Sequence, residues 1–223
     1  MAFLCPMSCR KALFELYLSV WTGTSNFSDN ITPIQVIMRI ITGEYKGRRL
    51  ATVKGADMRY TADRVKESLF STLRDAVPGA RFLDLYAGSG NVGIEALSRG
   101  AESVAFVDIN TACIRTISAN LNRCGLSIDP PRIMPLNMDI SRSMRYFRKR
   151  EMQFDIIFLD PPYPLRLVEK SLKAISACGI LSTGGMVIAE CDVKENAPEQ
   201  VDTLVMMRQK RYGTTLLSFY ELL

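Results

Sequence analysis

The sequence predicts an α/β fold of the Rossmann-like type, in which helices cover both faces of a central, mostly parallel sheet. From residue 79 onward, short apolar runs of strand length alternate with longer runs of helical spacing, a pattern typical of parallel sheets. A glycine-rich turn, Gly88–Gly93, separates the first of these strands from its helix. A later apolar run, Phe154–Leu159, ends in an acid and two prolines. We also expect a small N-terminal β-hairpin with a helix, and a C-terminal antiparallel hairpin.

The composition is that of a globular chain with a modest basic excess. Its 223 residues are 48% hydrophobic, which suffices for one sizeable domain with a small appendage. The net charge of +5 allows a nucleic-acid partner without requiring one. The chain has no histidine, which excludes histidine-based triads and histidine metal ligands, and its 6 cysteines form no C-x-x-C pair. We therefore expect reduced thiols and no bound metal.

Residues 1–37 differ in character from the rest of the chain, and we expect them to be an extension upstream of a physiological start at Met38. A helix packed on the main domain is the competing hypothesis. The longest apolar stretch of this segment, Leu13–Trp21, is too short to span a membrane and contains Glu15. The predicted division is 1–37 as the extension, 38–78 as an N-terminal hairpin and helix, and 79–223 as the main domain.

The sequence after Met38 predicts two short strands around a turn at Gly43–Gly47, and then a helix over Thr61–Asp75. Thr61 suits the N-cap of this helix and Asp63 its first turn. The hairpin is rich in cations, which suit a solvated face and a nucleic-acid contact equally well. The candidate nucleic-acid-binding residues are Arg39, Lys46, Arg48, Arg49, Arg59 and Arg64.

A strand over Arg81–Leu85, the glycine-rich turn and a helix over Val92–Arg99 predict a nucleotide-binding unit. Glycines let the chain turn tightly and let a ligand approach the backbone, while the helix N-terminus offers N–H groups. The next strand, Ser103–Val107, ends in Asp108, about twenty residues after the turn, where a carboxylate can accept hydrogen bonds from ribose hydroxyls. These features together predict a cofactor that contains a nucleoside.

The spacing of Gly88, Gly90 and Gly93 also fits a dinucleotide, but two acids favour S-adenosylmethionine. Asp84, just before the turn, would repel a pyrophosphate and attract a cationic amino group or sulfonium. Asp160 builds a second pocket at a neighbouring strand end, which a hydride acceptor would not need. The cofactor-binding candidates are Asp84, Tyr86, Ala87, Gly88, Gly90, Asp108, Ile109, Asp139 and Ile140.

Each end of the cofactor is assigned to part of this set. We expect Asp84 and the turn glycines at the methionine end and Asp108 at the ribose. Asp139 is predicted to accept from the adenine amino group, with Met138 or Ile140 against the ring. An acid at position 139 also suits a helix N-cap, so both roles stay open.

The remaining pattern alternates helices and strands up to the C-terminal hairpin. Ser141–Arg150 predicts a helix with a cationic stripe, which suits a solvated face slightly better than an RNA contact. A strand over Met186–Glu190 is expected after a turn at Gly184-Gly185. The other predicted elements are the helices Thr111–Cys124 and Leu165–Ala177, the strand Arg132–Leu136, and the strands Leu204–Lys210 and Thr214–Tyr220, which turn at Tyr212-Gly213.

The loop Asp160-Pro161-Pro162-Tyr163 is the candidate catalytic segment. The strand before it is apolar on both faces, which suits the interior of a parallel sheet, and such sheets bind ligands at their carboxyl ends. The prolines stiffen the backbone and leave carbonyls able to accept. A carboxylate, a carbonyl and an aromatic ring together suit a planar substrate that bears an amino group. Asp129-Pro130-Pro131 shares three letters with this loop but follows a loop-like stretch, so we predict a turn there.

These motifs resemble those of the RsmD family, bacterial small-subunit ribosomal RNA guanine-N2 methyltransferases. Asp160–Tyr163 is similar to the catalytic motif of amino-methyltransferases that act on nucleic acids. The resemblance runs in motif order from Met38 to the C-terminus. The segments that carry it are Arg39–Gly43, Thr61–Glu67, Leu83–Gly90, Glu95–Gly100 and Lys210–Thr214. The chain departs from the family at Arg59-Tyr60-Thr61, where members have Arg-Pro-Thr.

The resemblance implies a class I S-adenosylmethionine-dependent methyltransferase that methylates the exocyclic N2 of a guanine in 16S ribosomal RNA. The catalytic candidates are Asp160, Pro161, Pro162 and Tyr163: the Asp160 carboxylate and the Pro161 carbonyl would accept from the amine, and Tyr163 would stack on the extruded base. N6-adenine or N4-cytosine methylation would use the same loop, and a catalytically silent RNA-binding assembly factor is a third hypothesis. We expect a cytoplasmic monomer whose partner is 16S ribosomal RNA or an assembly intermediate of the small ribosomal subunit.

Overall fold

The computed structural model describes residues 38–53, 63–162, 167–195 and 197–223, so the predicted extension 1–37 lies outside the described residues. The strands are β1 (Met38–Arg39), β2 (Arg49–Leu50), β3 (Arg81–Leu85), β4 (Ser103–Asp108), β5 (Ile133–Asn137), β6 (Phe154–Leu159), β7 (Leu181–Asp192), β8 (Gln200–Val201), β9 (Leu204–Tyr212) and β10 (Thr215–Leu222). The helices are α1 (Asp63–Thr72), α2 (Asn91–Ser98), α3 (Thr111–Arg123), α4 (Ile140–Lys149) and α5 (Leu167–Cys178).

The main sheet has eight strands in the order β5-β4-β3-β6-β7-β10-β9-β8. The five strands from β5 to β7 are parallel to one another, and β10, β9 and β8 continue the sheet in antiparallel pairs. The predicted α/β fold, with a mostly parallel sheet and a C-terminal antiparallel hairpin, is therefore confirmed.

Helices bury both faces of the sheet, and this explains the uninterrupted apolar runs of the parallel strands. Successive strand residues point to opposite faces, so Phe82 contributes to one apolar cluster and Leu83 to the other. The first cluster joins the sheet to apolar side chains of α1, α2 and α3. The second joins it to α4 and α5, through residues such as Phe147 and Leu172.

The N-terminal hairpin lies on the first of these faces and shares its core. β1 and β2 pair as an antiparallel ribbon, which confirms the predicted hairpin. Met38 and Leu50 belong to the same apolar cluster as Phe82. The hairpin turn lies against the last turn of α2, where a Cβ added to Gly43 would come within 1.7 Å of the Ser98 carbonyl oxygen. A glycine is therefore required at position 43, and the described residues of segment 38–78 share the core of the main domain.

The predicted turn at Gly184-Gly185 is wrong, because both glycines lie within the twelve-residue strand β7. Gly184 has φ 76°, and a Cβ on Gly185 would lie 2.9 Å from the Asp155 carbonyl oxygen. The β6–β7 register shifts between Phe154 and Ile156 beside them. The glycines therefore mark an irregularity within a continuous strand, since glycine occurs in strands at bulges and where another backbone approaches closely. The short strand β8 was not predicted.

The strand order places a crevice at the carboxyl edge between β3 and β6. The chain moves outward from β3 to β4 and β5, and then returns to β6 on the other side of β3. Such a reversal opens a ligand-binding crevice at the strand ends. Leu85 pairs with Leu159, so Tyr86 and Asp160 leave the sheet side by side. None of the helices in the described part of the chain is both long and apolar enough to cross a membrane.

Candidate active site at the carboxyl edge of the sheet

The glycine-rich turn brings the N-terminus of α2 to this crevice. Gly88 and Gly90 have φ 54° and 76°, left-handed values that favour glycine. Gly93 allows α2 to pack on β4, since an added Cβ would lie 2.3 Å from a ring carbon of Phe106. The helix end presents a partial positive charge at the carboxyl edge of the sheet. Roles for Ala87, Gly88 and Gly90 in cofactor binding stay predictions that this geometry suits.

Asp84 is buried in β3 and points at the start of α2. Its Oδ2 accepts a hydrogen bond of 2.9 Å from the Gly93 N–H, and the residue is 2% exposed. Burial raises the pKa of Asp84 to about 8, the Gly93 N–H opposes the rise, and the charge of Asp108 adds to it. The sequence pattern predicts that this carboxylate faces a cationic ligand group. In the structure it joins strand to helix, and a direct cofactor contact stays a prediction.

Asp108 ends β4 and fixes the turn from the other side. Its Oδ2 accepts from the Gly88 N–H at 2.9 Å, and its Oδ1 accepts from the Asn110 N–H at 2.8 Å. The side chain is half-buried, and a carboxylate has further lone pairs that ribose hydroxyls can use. Ile109, the next residue, is 74% exposed. An apolar side chain beside a ribose-binding acid suits contact with a purine ring.

Asn137 holds the ends of β4 and β5 together at the same edge, a role that was not among the sequence-based predictions. Its Nδ2 donates to the carbonyls of Asp108 and Ile109 at 3.1 and 2.9 Å, and its Oδ1 accepts from the Thr111 hydroxyl at 2.9 Å. Asn137 is paired with Asp108 across β4 and β5. The feature of the sequence that could have indicated this role is the position of Asn137 at the end of a strand. A side-chain amide there can donate hydrogen bonds to the carbonyls at the end of a neighbouring strand.

Asp139 is the N-cap of α4, because its Oδ1 accepts from the Arg142 N–H at 2.8 Å. The helix-capping role is therefore confirmed, and the adenine contact stays a prediction for an exposed side chain at the right edge. Met138 and Ile140 are half-buried against the second apolar cluster. They lie one residue to each side of Asp139, at the end of β5 that is next to Asp108 and Ile109.

The candidate catalytic loop leaves β6 beside the glycine-rich turn. Asp160 is half-buried, Pro161 is buried and Pro162 is exposed. Tyr163 lies outside the described residues, so its predicted stacking role stays a prediction. The structure thus places a carboxylate and a stiff, proline-flanked backbone at the reversal point of the sheet, next to the predicted methionine end of the cofactor.

Tyr86 connects the two loops. Its φ of 60° is unusual for a residue other than glycine and suits a sharp turn out of β3. Its hydroxyl shares a hydrogen bond of 2.9 Å with the Ser171 hydroxyl on α5, the helix that follows the catalytic loop. Burial raises the pKa of Tyr86. The side chain therefore has a structural contact, and its predicted cofactor contact would use the backbone.

A buried ionic cluster that the sequence patterns do not reveal joins α1 and the N-terminal hairpin to α2. Lys66 and Glu95 are fully buried and form an ion pair of 3.2 Å. The ammonium also donates to the Arg39 carbonyl at 2.7 Å and to Asn91 Oδ1 at 2.6 Å. Glu95 accepts from the N–H groups of Ile41 and Thr42 at 2.8 and 3.0 Å. The N-terminal hairpin, α1 and the glycine-rich turn are thereby joined through charged side chains.

Among the described residues, the predicted nucleic-acid-binding cations lie in two regions. Arg39 and Arg49 face each other on β1 and β2, and Arg64 lies in the first turn of α1; all three are exposed. Lys46 lies in the turn, near the end of α2, and Arg48 donates to the carbonyl of Arg123 at the end of α3. In this fold, helices end at the amino edge of the sheet, away from the catalytic loop. Arg59 lies outside the described residues.

The crevice fits S-adenosylmethionine better than a dinucleotide. Asp84 is buried beneath the turn, where a pyrophosphate would approach a second acid. Asp108 and the exposed Ile109 suit a ribose and a purine, while the Asp160 loop occupies the space next to the turn. The fold and site together define a class I S-adenosylmethionine-dependent methyltransferase.

Comparison with known proteins identifies the family. The family model described as "Conserved hypothetical protein 95" matches residues 38–221, and the chain belongs to this family, the RsmD family predicted from the motifs. The "Putative rRNA methyltransferase YlbH" of Bacillus subtilis is 41% identical over 184 residues, which cover 82% of this chain and 98% of that protein. "Ribosomal RNA small subunit methyltransferase D" of Escherichia coli is 29% identical over 184 residues, with 82% and 89% covered.

Structural similarity agrees with this assignment. The solved structure of the "Putative methyltransferase yhhF" of Escherichia coli superposes with a TM-score of 0.71 at 26% sequence identity. The match covers 83% of this chain and 98% of that one. The prediction of a class I methyltransferase fold is therefore confirmed by sequence and by structure.

Proposed function

We propose that this protein transfers the methyl group of S-adenosylmethionine to the exocyclic N2 of a guanine in 16S ribosomal RNA. The observation that carries the proposal is the pairing of Leu85 with Leu159, which puts the Asp160 loop directly beside the glycine-rich turn. A methyl donor in the turn and an amine held by the loop would then be adjacent. The names of the two relatives support ribosomal RNA as the substrate, and the one from Escherichia coli supports the small subunit.

In the proposed reaction, the protein contributes mainly by positioning the reactants and by electrostatic stabilisation. An exocyclic amine is a weak nucleophile because its lone pair is delocalised into the base. Acceptance of its two N–H bonds by the Asp160 carboxylate and the Pro161 carbonyl would draw the nitrogen towards tetrahedral geometry and aim its lone pair at the methyl group. The new N–C bond forms as the S–C bond of the sulfonium breaks. The nitrogen then loses one proton, for which Asp160 is the nearest proposed acceptor.

The choice of base depends on family membership rather than on the loop. A carboxylate and a carbonyl recognise an amino group, which adenine and cytosine also carry. N6-adenine or N4-cytosine methylation is therefore the alternative that the loop itself allows. The segments shared with the RsmD family support guanine, and the RNA substrate in turn supports a cytoplasmic location. We infer a monomer, because one chain holds both the proposed cofactor crevice and the catalytic loop.

Methyl transfer by the purified protein tests the proposal directly. Small ribosomal subunits and free 16S RNA from a strain that lacks the gene would be incubated with radiolabelled S-adenosylmethionine. The RNA would then be digested and its nucleosides separated by mass spectrometry. We expect label in N2-methylguanosine alone. Label in N6-methyladenosine or N4-methylcytidine would replace guanine as the target, and an unlabelled digest from both substrates would favour an assembly factor.

The arrangement of the cations predicts different roles for two adjacent arginines. Arg49 is exposed on β2 opposite Arg39, whereas the Arg48 guanidinium caps the end of α3 at the other edge of the sheet. We expect Arg49→Ala to weaken RNA affinity by about 3- to 10-fold. The slope of the logarithm of the binding constant against the logarithm of the salt concentration should decrease by about one, as expected for the loss of one phosphate contact. Arg48→Ala is the matched control and should bind RNA nearly as the wild type does. Equal losses in both variants, measured by filter binding over a salt series, would contradict this division of the hairpin.

A further inference from the structure

Helix α4 presents a continuous cationic surface to solvent. The ten residues of the helix include no acid, and Arg150 follows directly. The residues Ser143, Met144 and Phe147 are buried on the side that packs on the sheet. The opposite side, the α4 cationic face, consists of five exposed residues: Arg142, Arg145, Arg148, Lys149 and Arg150.

The charge of this segment accounts for more than half of the basic excess of the protein. Two acids flank the five cations, Asp139 before the helix and Glu151 after it, so residues 139–151 carry a net charge of +3 out of +5 for the whole chain. The neighbouring helix α5 carries Lys170 and Lys173 against Glu169, which gives it a further excess of one cation. Within the described ranges, none of the five cations is in a salt bridge.

The acids of the strands beneath α4 do not neutralise this face. Asp108, at the end of β4, accepts from the N–H groups of Gly88 and Asn110. Asp155, at the start of β6, is paired with Arg81 at 2.8 Å. Asp84 points to the other face of the sheet, where it accepts from α2. The cations of α4 therefore keep their charge available to a partner.

The α4 cationic face lowers the stability of its own helix, so folding does not explain it. Arg142 lies in the first turn, where the helix dipole disfavours a cation. Like charges three or four positions apart also repel one another on a helix. On α5, by contrast, Lys173 is paired with Glu169 four positions away, at 2.7 Å. The pairs of cations at this spacing on α4 are Arg142–Arg145, Arg145–Arg148 and Arg145–Lys149.

The helix begins at the edge of the sheet that carries the candidate catalytic loop. Its N-cap, Asp139, follows β5 at this edge, and the helix then runs for about 15 Å, at 1.5 Å per residue, towards the amino edge. Its apolar side belongs to the second apolar cluster, whereas the N-terminal hairpin, with Arg39 and Arg49, packs on the first. Exposed cations thus lie on both faces of the sheet whose edge carries Asp160.

We propose that the α4 cationic face binds the phosphate backbone of the RNA substrate. This inference deepens the proposed function and rests on its choice of substrate. Four of the five cations are arginines, whose planar guanidinium can donate two parallel hydrogen bonds to a phosphate. A base extruded towards Asp160 remains attached to its backbone, which the cations would hold in register. An RNA that contacts α4 and the hairpin together must extend around the carboxyl edge, so a long, folded RNA fits better than a short oligonucleotide.

Neutralisation of the face tests this inference against a control with the same loss of charge. The test variant combines Arg142→Gln, Arg145→Gln and Lys149→Gln, since glutamine is also a good helix former. The control combines Arg74→Gln, Arg123→Gln and Arg132→Gln, three exposed positions that precede β3, end α3 and precede β5.

Binding to free 16S RNA would be measured by filter binding over a salt series. We expect the test variant to bind about 30- to 300-fold more weakly than the wild type. The slope of the logarithm of its binding constant against the logarithm of the salt concentration should decrease by about two to three. The control variant should bind within about threefold of the wild type, because its cations lie at the amino edge.

Two further measurements separate RNA binding from folding and from cofactor binding. The midpoint of thermal unfolding of the test variant should equal or exceed that of the wild type, because like-charge repulsion in α4 is relieved. Its calorimetric affinity for S-adenosylhomocysteine should stay within about twofold of the wild-type value. Methyl transfer at saturating RNA should then approach the wild-type rate, with the loss confined to the RNA concentration that is needed.

Three results would overturn the assignment of α4. Equal losses in the two triple variants would show an effect of net charge alone, and an unchanged salt slope would exclude phosphate contacts. A loss seen with small ribosomal subunits but not with free 16S RNA would assign the face to a ribosomal protein. Failure of the wild-type protein to transfer methyl groups to RNA overturns the proposed function itself, and the two failures are thereby distinguished.

Discussion

Replacement of Asp160 by alanine is expected to reduce methyl transfer by about 10²- to 10³-fold, a loss typical of removing one preorganised electrostatic group from a site. The carboxylate leaves the sheet beside the glycine-rich turn, where it is proposed to hold and polarise the target amine. Its removal eliminates one of two acceptors and the nearest destination for the departing proton. Single-turnover transfer from radiolabelled S-adenosylmethionine to small ribosomal subunits measures the effect without a contribution from product release.

Affinity for the cofactor should change little in the same variant. The residues proposed to hold S-adenosylmethionine belong to the turn and to the ends of β4 and β5, whereas Asp160 follows β6. A calorimetric dissociation constant for S-adenosylhomocysteine within about twofold of the wild-type value is the expected result. A large loss of cofactor affinity would instead assign Asp160 to the cofactor site.

The chain offers its own control for this experiment. Asp129-Pro130-Pro131 has the same three residue types, but it forms the turn that precedes β5, where the Asp129 backbone bridges to Ile133. This turn lies at the amino edge of the sheet, opposite the proposed site. Asp129→Ala should therefore transfer methyl groups at the wild-type rate. A comparable loss in both variants would show that the assay responds to aspartate removal in general and would contradict a catalytic role for Asp160.

The fold and the position of the candidate site could be predicted from the sequence because both depend on strong local signals. Phe154–Leu159 was predicted with the bounds that the structure shows, since an apolar run that ends at Asp-Pro-Pro has few other interpretations. The glycine-rich turn and Asp108 were predicted from spacing, and the structure joins them by the hydrogen bond between Asp108 and the Gly88 N–H. Local pattern and tertiary arrangement agree here, as expected at a site built on strand ends.

Contacts between distant segments could not be read from the same patterns. Lys66 and Glu95 are 29 positions apart, and each looks like a solvated charge in its own helix, yet both are fully buried. Gly184 and Gly185 look like a turn but lie inside β7, because neighbouring strands require the close approach. The cations of the hairpin look like one patch in sequence. In the structure, the Arg48 guanidinium instead donates to the Arg123 carbonyl at the end of α3, whereas Arg39 and Arg49 are paired on β1 and β2.

The substitution Glu95→Gln is expected to destabilise the protein by about 3–5 kcal/mol at pH 7, as the loss of one partner from a buried ion pair does. Glutamine has nearly the same shape, but it leaves the Lys66 ammonium buried without its anion. It also places an NH₂ group near the N–H groups of Ile41 and Thr42, which now donate to the carboxylate at 2.8 and 3.0 Å. Urea unfolding followed by circular dichroism gives the change in the free energy of unfolding.

The pH dependence of this loss identifies Lys66 as its origin. Burial lowers the pKa of Lys66, and Glu95 opposes the decrease, so the variant should have a still lower lysine pKa. A lysine whose pKa is lower in the folded state binds fewer protons there than in the unfolded chain. The penalty is therefore complete below the folded-state pKa, and stability recovers as the pH rises through that value towards the unfolded one. We expect the difference between variant and wild type to shrink as the pH rises towards the pKa of an unperturbed lysine, about 10.4.

Glu169→Gln provides the matched comparison, because Glu169 and Lys173 form an ion pair of 2.7 Å in which both side chains are about half exposed. That substitution should change stability little, since water already screens the pair. A second comparison is Glu95→Gln combined with Lys66→Met, which removes both charges and should be more stable than Glu95→Gln alone. If the double variant is instead less stable than Glu95→Gln, the ammonium contributes chiefly through Asn91 Oδ1 and the Arg39 carbonyl. The cluster would then orient the glycine-rich turn through these hydrogen bonds. Loss of the ammonium would in that case lower the affinity for the cofactor as well as the stability of the fold.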